Sequence, residues 1–535
     1  MISLYAQLAD LERRRLRSQV RLDCLKSGRD RNKLGQFATP PDLARECLAL
    51  CLSFWETTRG RARFLDPAVG TGSFYSALRE VFPEEMLESA TGVEIDTAFA
   101  ETARSLWGSV GLKVIHDDFT RLAPTPRDDQ KFNLLICNPP YVRHHHLAQD
   151  QKQYLRHECA QRTGIALSGL AGLYCYFLLL SDAWLAPNAI SLWLIPSEFM
   201  DVNYGASIKK YLCTQVALHR VHRFDPSEVQ FDDALVSSAV VLFEKRKPEI
   251  GHVAEFTFGG SISKPRAIQR VRTSEISDAP KWTVFPLSDL LLGDTFRRPQ
   301  MEHQPVLSDV FDIKRGIATG ANEFFIMERR QAAERGLPAE YLKPVLPSPR
   351  YLKDRVIEAD EEGFPRLRPS LVLLDCDLPE ALVMKKHPRL WDYIAKGAQD
   401  GLPERYLLRG RKPWYSQEQR PPAPFLCTYM GRGQNGDSPF RFFLNQSRAV
   451  AANVYLLLYP IARLADVLTR DPGLASHIFS RLSALRPEEL KTEGRVYGGG
   501  LHKIEPRELG RLSAISLFDS MPQLSEVVPL QPFLL

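Results

Sequence analysis

The sequence predicts an open, mostly parallel α/β domain followed by an irregular α+β domain, and three observations carry the prediction. From about residue 40 to 245, short apolar runs alternate with helical segments. Glycines follow the first of these runs in a strand-to-helix turn. Beyond about residue 300, prolines and turn signals become frequent among short strands and a few helices, without a clear internal repeat. At 535 residues the chain has room for two or three domains, each with its own core.

Taken in order, residues 1–34 read as a basic amphipathic helix. Leu8, Leu11, Leu16, Val20 and Leu25 supply its apolar positions among Arg13, Arg14, Arg15, Arg17 and Arg21. A solvated face on a packing helix is the expectation for those arginines, and their number excludes a signal peptide there. Residues 35–245 form the α/β domain. Its strands are expected at Arg63 to Asp66, Thr91 to Ile95, Lys113 to His116, Phe132 to Cys137, Ile190 to Ile195 and Leu235 to Phe243. The apolar stretch from Leu170 to Pro196 is broken by Asp182, Pro187 and Asn188, so it reads as a buried helix and strand and not as a membrane span. Residues 246–300 are expected to connect to the second domain, 301–535, whose long loops suit a recognition surface.

Hydrophobic residues at 44% and charged residues at 25% describe a globular chain and exclude a disordered one. A net charge of +5 gives a weak overall field, so contact with nucleic acid would come from local basic surfaces. The nine cysteines include no Cys-x-x-Cys pair, and Cys47 and Cys51 have no nearby histidine, so a reduced intracellular protein without structural metal is expected. His144-His145-His146 gives no metal site either, since consecutive side chains diverge.

The first candidate site is a cofactor pocket at the ends of successive strands. Asp66 closes the first strand, and Gly70 and Gly72 let the backbone pass close to a ligand. No Gly-Lys-Ser/Thr follows and no third glycine falls at Ser73 to Tyr75, which disfavours phosphate binding. Glu94, roughly 20 residues further on, is placed to accept the hydroxyls of a ribose. Asp118 offers a carboxylate to an adenine amino group and Phe119 a ring to cover its face. An adenosine-containing cofactor without a required pyrophosphate fits all of these.

The second site is Asn138-Pro139-Pro140-Tyr141, at the carboxyl end of the strand Phe132 to Cys137. An amino nitrogen conjugated to a ring, such as that of adenine, is a poor nucleophile, and methylating it requires both N–H bonds to be held. The Asn138 side-chain oxygen and the Pro139 carbonyl can each accept one, while Tyr141 can stack on the ring. Neither a metal nor a strong base is demanded.

With these residues in place, the chain resembles the γ-class, TaqI-like N6-adenine DNA methyltransferases of type II restriction-modification systems over roughly Gly35 to Phe243. Gly35-Gln36-Phe37-Ala38-Thr39-Pro40 is similar to the motif before the sheet, which implies that Thr39 helps bind the methionine end of S-adenosyl-L-methionine. Asp66, Gly70, Gly72, Glu94, Asp118 and Phe119 match the family's cofactor residues. Gly172-Leu173-Tyr174-Cys175-Tyr176-Phe177 resembles the helix whose aromatic end, Phe177, borders the cofactor, and core packing explains Phe177 equally well. Phe231 matches the ring that sandwiches a flipped base opposite Tyr141.

The resemblance implies a class I, Rossmann-like, mostly parallel seven-stranded sheet and a target-recognition domain at 301–535. That domain is entered near Lys314 to Phe325, and Gly498-Gly499-Gly500-Leu501-His502-Lys503-Ile504 resembles one of its late loops. Arg409 to Tyr415, Arg432, Arg441 and Arg495 could contact phosphates or base edges, with a solvated surface role the default for each. Double-stranded DNA is the implied partner and a prokaryotic cytoplasm the implied location. No paired carboxylates with a lysine mark a nuclease, so a separately encoded restriction endonuclease is expected. Two alternatives stand beside this one. The same tetrapeptide serves methylation of RNA bases and of protein glutamine, and a non-catalytic DNA-binding subunit could keep the fold.

Overall fold

The structure is a computed structural model that describes residues 2–27, 30–31, 34–55, 60–225, 237–286, 305–433, 438–497 and 501–520. It divides into two compact units, one formed by residues 1–297 with 497–499 and the other by 298–496 with 500–535. No helix among the described residues is long and apolar enough to cross a membrane.

The first unit is built on one sheet of nine strands: β1 (Ala62–Asp66), β2 (Leu87–Glu94), β3 (Leu112–His116), β4 (Phe132–Cys137), β5 (Leu185–Pro196), β6 (Ala217–Arg223), β7 (Ser238–Glu244), β8 (Val253–Gly260) and β9 (Pro265–Arg272). Their order is β3-β2-β1-β4-β5-β7-β6-β8-β9. The first five strands pair in parallel, β7 runs antiparallel to both neighbours, β8 is parallel to β6 and β9 turns back on β8. Every residue of β7 is buried, as expected of a strand covered on both faces.

Two features of the sheet depart from the sequence expectation. The sheet has two strands more than seven, because the stretch expected to connect the domains contributes β8 and β9; alternating burial in Val253–Gly260 and a turn after Gly259 and Gly260, both at positive φ, make this hairpin. Strand β6 also lies outside the expected strands, since its sequence, Ala-Leu-His-Arg-Val-His-Arg, reads as polar. Within the sheet His222 is fully buried and satisfied on one side by the Thr257 hydroxyl at 2.8 Å.

Helices cover both faces. The ones that matter for the site are α1 (Ile2–Cys24), α2 (Pro41–Ser53), α3 (Ser73–Val81), α4 (Thr97–Trp107), α5 (Gln149–Thr163) and α6 (Leu173–Ser181). Proline at the first position of α2 starts that helix, and Asp96 caps α4 by accepting the amides of Ala98 and Phe99. Helix α1 is rotated from the face its leucines suggested. Leu8, Leu11 and Leu22 are buried together with Arg15, whereas Leu16, Val20 and Leu25 face solvent. Cys24, at the end of α1, is exposed, and the other eight cysteines are buried.

The second unit is α+β. Phe311–Arg315, Tyr455–Pro460, Phe425–Thr428, Phe442–Asn445 and Val356–Ile357 form a five-stranded, largely antiparallel sheet in that order. One of its cores gathers Phe311, Phe425, Leu456, Ile478 and Leu482. A second gathers Phe325, Leu390, Ile394, Trp414 and Tyr415.

Candidate active site

The carboxyl ends of β1, β2, β3 and β4 lie side by side because those strands are adjacent and parallel, and this alone brings the predicted segments to one edge of the sheet. Backbone bonds staple the ends together. The Val69 amide donates to the Val93 carbonyl at 2.9 Å and the Asp117 amide to the Glu94 carbonyl at 3.0 Å.

Asp66 is 1% exposed, and burial pushes its carboxyl up to about 8, although the Ala68 amide donates to it at 3.1 Å. Gly70 and Gly72 both adopt positive φ, at 56° and 92°. The space over Gly70 is open for a ligand. A side chain on Gly72 would collide with the Trp107 indole, which donates to the Thr71 carbonyl at 2.8 Å. Glu94 accepts the Gly70 amide and the Asp96 amide, each at 2.9 Å, one on each oxygen. Each oxygen keeps a second lone pair that can accept a further donor. Burial raises the Glu94 carboxyl, against the two backbone bonds.

Asp118 spends one oxygen on the Thr120 amide and hydroxyl, at 2.9 and 2.7 Å, and its other oxygen lies 3.6 Å from Arg121. Phe119 and Phe177 are both buried, with ring centroids 5.3 Å apart, and Phe119 also packs on Trp184 at 5.4 Å. Both rings therefore belong to the core beneath the strand ends. Ile95, which sequence reasoning passed over, is 65% exposed at the same edge. Its signal was an apolar residue between Glu94 and Asp96 at a strand end.

The tetrapeptide is locked by the segment before α2. The Tyr141 amide donates to the Gly35 carbonyl at 3.1 Å. The Asn138 side-chain nitrogen donates to the Phe37 carbonyl at 3.0 Å and to the Thr39 hydroxyl at 3.1 Å. A carbonyl can only accept, so the Phe37 contact fixes which end of the amide faces it. The Asn138 Oδ1 atom is then turned the other way, buried and without a protein donor among the described residues. Thr39 also joins the two halves of the site, because its carbonyl accepts from the Ser73 hydroxyl at 2.8 Å.

Pro139 is buried, and Tyr141 is held by its hydroxyl to the Leu194 carbonyl at 3.1 Å with its ring 5.5 Å from Phe37. Gly172 and Leu173 close the far side, where the Leu173 amide donates to the Val142 carbonyl at 2.9 Å. Phe231 and Gly498 to Gly500 lie outside the described residues. The three histidines form a short turn after the tetrapeptide, and no metal-binding cluster occurs among the described residues.

In the second unit, part of the expected basic-aromatic stretch is structural. Trp414 and Tyr415 are buried, and Arg411 donates to the carbonyls of Ala318 and Ser416 at 2.6 and 2.8 Å. Burial lowers the Arg411 guanidinium. Arg441 donates to the Pro349 and Leu352 carbonyls, and Arg495 to Glu508 at 2.8 Å. Arg441 nevertheless lines a cavity of about 430 Å³ together with Arg350, Tyr429 and Arg432.

Residues 83–230 match the family model of the Eco57I restriction-modification methylase, and residues 280–529 match that of the type II methyltransferase M.Eco57I, C-terminal domain. The type II methyltransferase M.XamI of Xanthomonas campestris pv. amaranthicola is 27% identical over 497 residues, covering 91% of this chain and 86% of that one. M.AccI of Acinetobacter calcoaceticus is 25% identical over 501 residues, covering 90% and 85%. Among solved structures, the type IIL restriction-modification enzyme MmeI in complex with DNA aligns with a TM-score of 0.47 at 13% identity, covering 79% of this chain and 59% of that one.

These matches support a methyltransferase whose methyl donor is S-adenosyl-L-methionine, built on the mixed α/β sheet described above. More particularly, the matches support a methyltransferase of a type II restriction-modification system.

Proposed function

We propose that this chain methylates the N6 amino group of adenine in double-stranded DNA, on a base flipped out of the helix, and so protects its site from a separately encoded endonuclease. The observation that carries the reading is the Asn138 amide: its nitrogen is held by Phe37 and Thr39 while its oxygen is buried without a donor among the described residues. A buried carbonyl oxygen left unsatisfied costs about 1–3 kcal/mol. An incoming N–H of a planar amino group relieves that cost, and the Pro139 carbonyl takes the second N–H.

Asn138 and Pro139 thus hold the amino group, support the positive charge that grows on its nitrogen and set the direction of attack. Tyr141, fixed through Leu194, forms one wall of the pocket, and Phe231 is assigned to the opposite wall by resemblance. Glu94 and Asp118 hold the adenosine of the cofactor, Ile95 borders its base, and Thr39 lies toward its methionine end. S-adenosyl-L-methionine supplies an already activated methyl group. The second unit reads the DNA sequence, a role suited to the basic cavity at Arg350, Arg432 and Arg441.

The test is methyl transfer from labelled cofactor to unmethylated duplex DNA, with the product nucleoside identified by mass spectrometry. N6-methyladenine formed by the wild type and lost in Asn138→Ala, about a hundredfold or more down with cofactor affinity retained, is the expected result. Methylcytosine as the product, or equal turnover by Asn138→Ala, would refute it.

A further inference from the structure

Helix α1 carries a guanidinium that its neighbours do not explain. Arg13, Arg14 and Arg17 are exposed, whereas Arg15 is 1% exposed. Its Nε and Nη2 donate to the two oxygens of Glu12, both at 2.7 Å, and its Nη1 donates to the Thr71 hydroxyl at 3.2 Å. That hydroxyl in turn donates to the Gln19 side-chain oxygen at 2.7 Å. Thr71 stands between Gly70 and Gly72, so the two left-handed glycines of the cofactor turn are anchored through its side chain.

Further along, Lys26 Nζ donates to Asp96 Oδ2 at 2.6 Å and to the Gln36 side chain at 2.9 Å, and it lies 5.4 Å from the Phe99 ring centre. Asp96 follows the ribose-binding Glu94, and Gln36 lies between Gly35 and Thr39. Glu12, Arg15 and Gln19 are three and four residues apart and share one face of α1, with Lys26 just beyond the end of the helix.

We infer that α1 is a strap for the cofactor pocket, with Arg15 and Lys26 as positioning residues that fix the Gly70–Gly72 turn, the Glu94–Asp96 turn and the Gly35–Thr39 segment relative to one another. The inference rests on S-adenosyl-L-methionine as the donor and is independent of the DNA target. A helix that merely packed on the sheet would need Leu8, Leu11 and Leu22; it would not need a buried, bidentate guanidinium aimed at a loop hydroxyl.

The test is calorimetric titration of S-adenosyl-L-methionine into the full-length protein, without DNA, together with thermal melting and DNA affinity. Arg15→Met and Thr71→Val are each expected to weaken cofactor binding about tenfold or more, with DNA affinity within twofold of wild type. The double variant is expected to be no weaker than the worse single, because both break one linkage. Lys26→Met is expected to act in the same direction, and the exposed Arg14→Ala to have no effect. If Arg15→Met does not fold, the near-isosteric Thr71→Val decides alone. Cofactor affinity within twofold of wild type in folded Thr71→Val, or fully additive losses in the double variant, would overturn the strap.

Discussion

Gly35 and Tyr141 are joined so closely that no side chain fits between them: the Tyr141 amide donates to the Gly35 carbonyl at 3.1 Å, and a Cβ on Gly35 would lie 2.3 Å from the Tyr141 nitrogen. Gly35 also has φ at +65°. Gly35→Ala therefore meets both backbone strain and overlap, and we expect a loss of at least about 2 kcal/mol. Methyl transfer should be lost with it, and denaturant unfolding read beside activity checks both.

Thr39→Val removes one of the two acceptors that orient Asn138 and leaves the Phe37 carbonyl in place. The expected result is a fall in kcat of about tenfold, corresponding to roughly one hydrogen bond to the orienting amide. A rise in KM for S-adenosyl-L-methionine at unchanged kcat would instead assign Thr39 to the cofactor alone. Steady-state kinetics at saturating DNA separates the two.

Glu94→Gln keeps an acceptor for one backbone amide and turns an NH2 toward the other. The Gly70 or Asp96 amide then loses its partner, at a cost of about 1–3 kcal/mol. Cofactor affinity is expected to fall by about tenfold or more, measured by titration without DNA.

Asp66 makes stability depend on pH. Its usual value is 3.8 and burial brings it to about 8 in the folded protein. Between those values the folded chain holds one proton that the unfolded chain has lost, so this group favours folding fully below about pH 4. Its contribution then declines by up to about 1.4 kcal/mol per pH unit until about pH 8. Asp66→Asn keeps the acceptor for the Ala68 amide and removes the titration. The stability difference between wild type and variant should therefore drift against the wild type as pH rises, and unfolding curves at about pH 5, 6 and 7 will show whether it does.

Arg411→Ala strips donors from the Ala318 and Ser416 carbonyls and should destabilise the second unit by at least about 2 kcal/mol. In the folded variant the salt dependence of DNA binding should be unchanged. A flatter slope with normal stability would return Arg411 to the DNA surface. Arg409, which is exposed, serves as the control for stability.

Much of this was legible in the chain. Strands β1 to β5 announce themselves as apolar runs, and Asp66, Glu94, Asp118 and Asn138 fall at or just beyond the ends of four of them. What composition hides is where a polar residue goes. Arg15 sits among five arginines of one helix, and nothing in that run distinguishes the buried one. His222 sits in a strand whose polarity masks its burial, and Trp414 and Tyr415 look like a basic-aromatic surface until the second core encloses them. The orientation of the Asn138 amide is a property of three segments meeting, which no single stretch of sequence encodes.

The distribution of thiols has a practical consequence. Burial raises the thiols of Cys47, Cys51, Cys137, Cys159, Cys175, Cys213, Cys376 and Cys427, which keeps them protonated and shielded, while Cys24 stands in solvent at the end of α1, two residues before Lys26. A maleimide dye added to the unaltered protein at neutral pH will therefore mark one position, next to the bridge between Lys26 and Asp96. The native chain carries its own attachment point for a fluorescent reporter of cofactor occupancy, and no cysteine needs to be introduced or removed to use it.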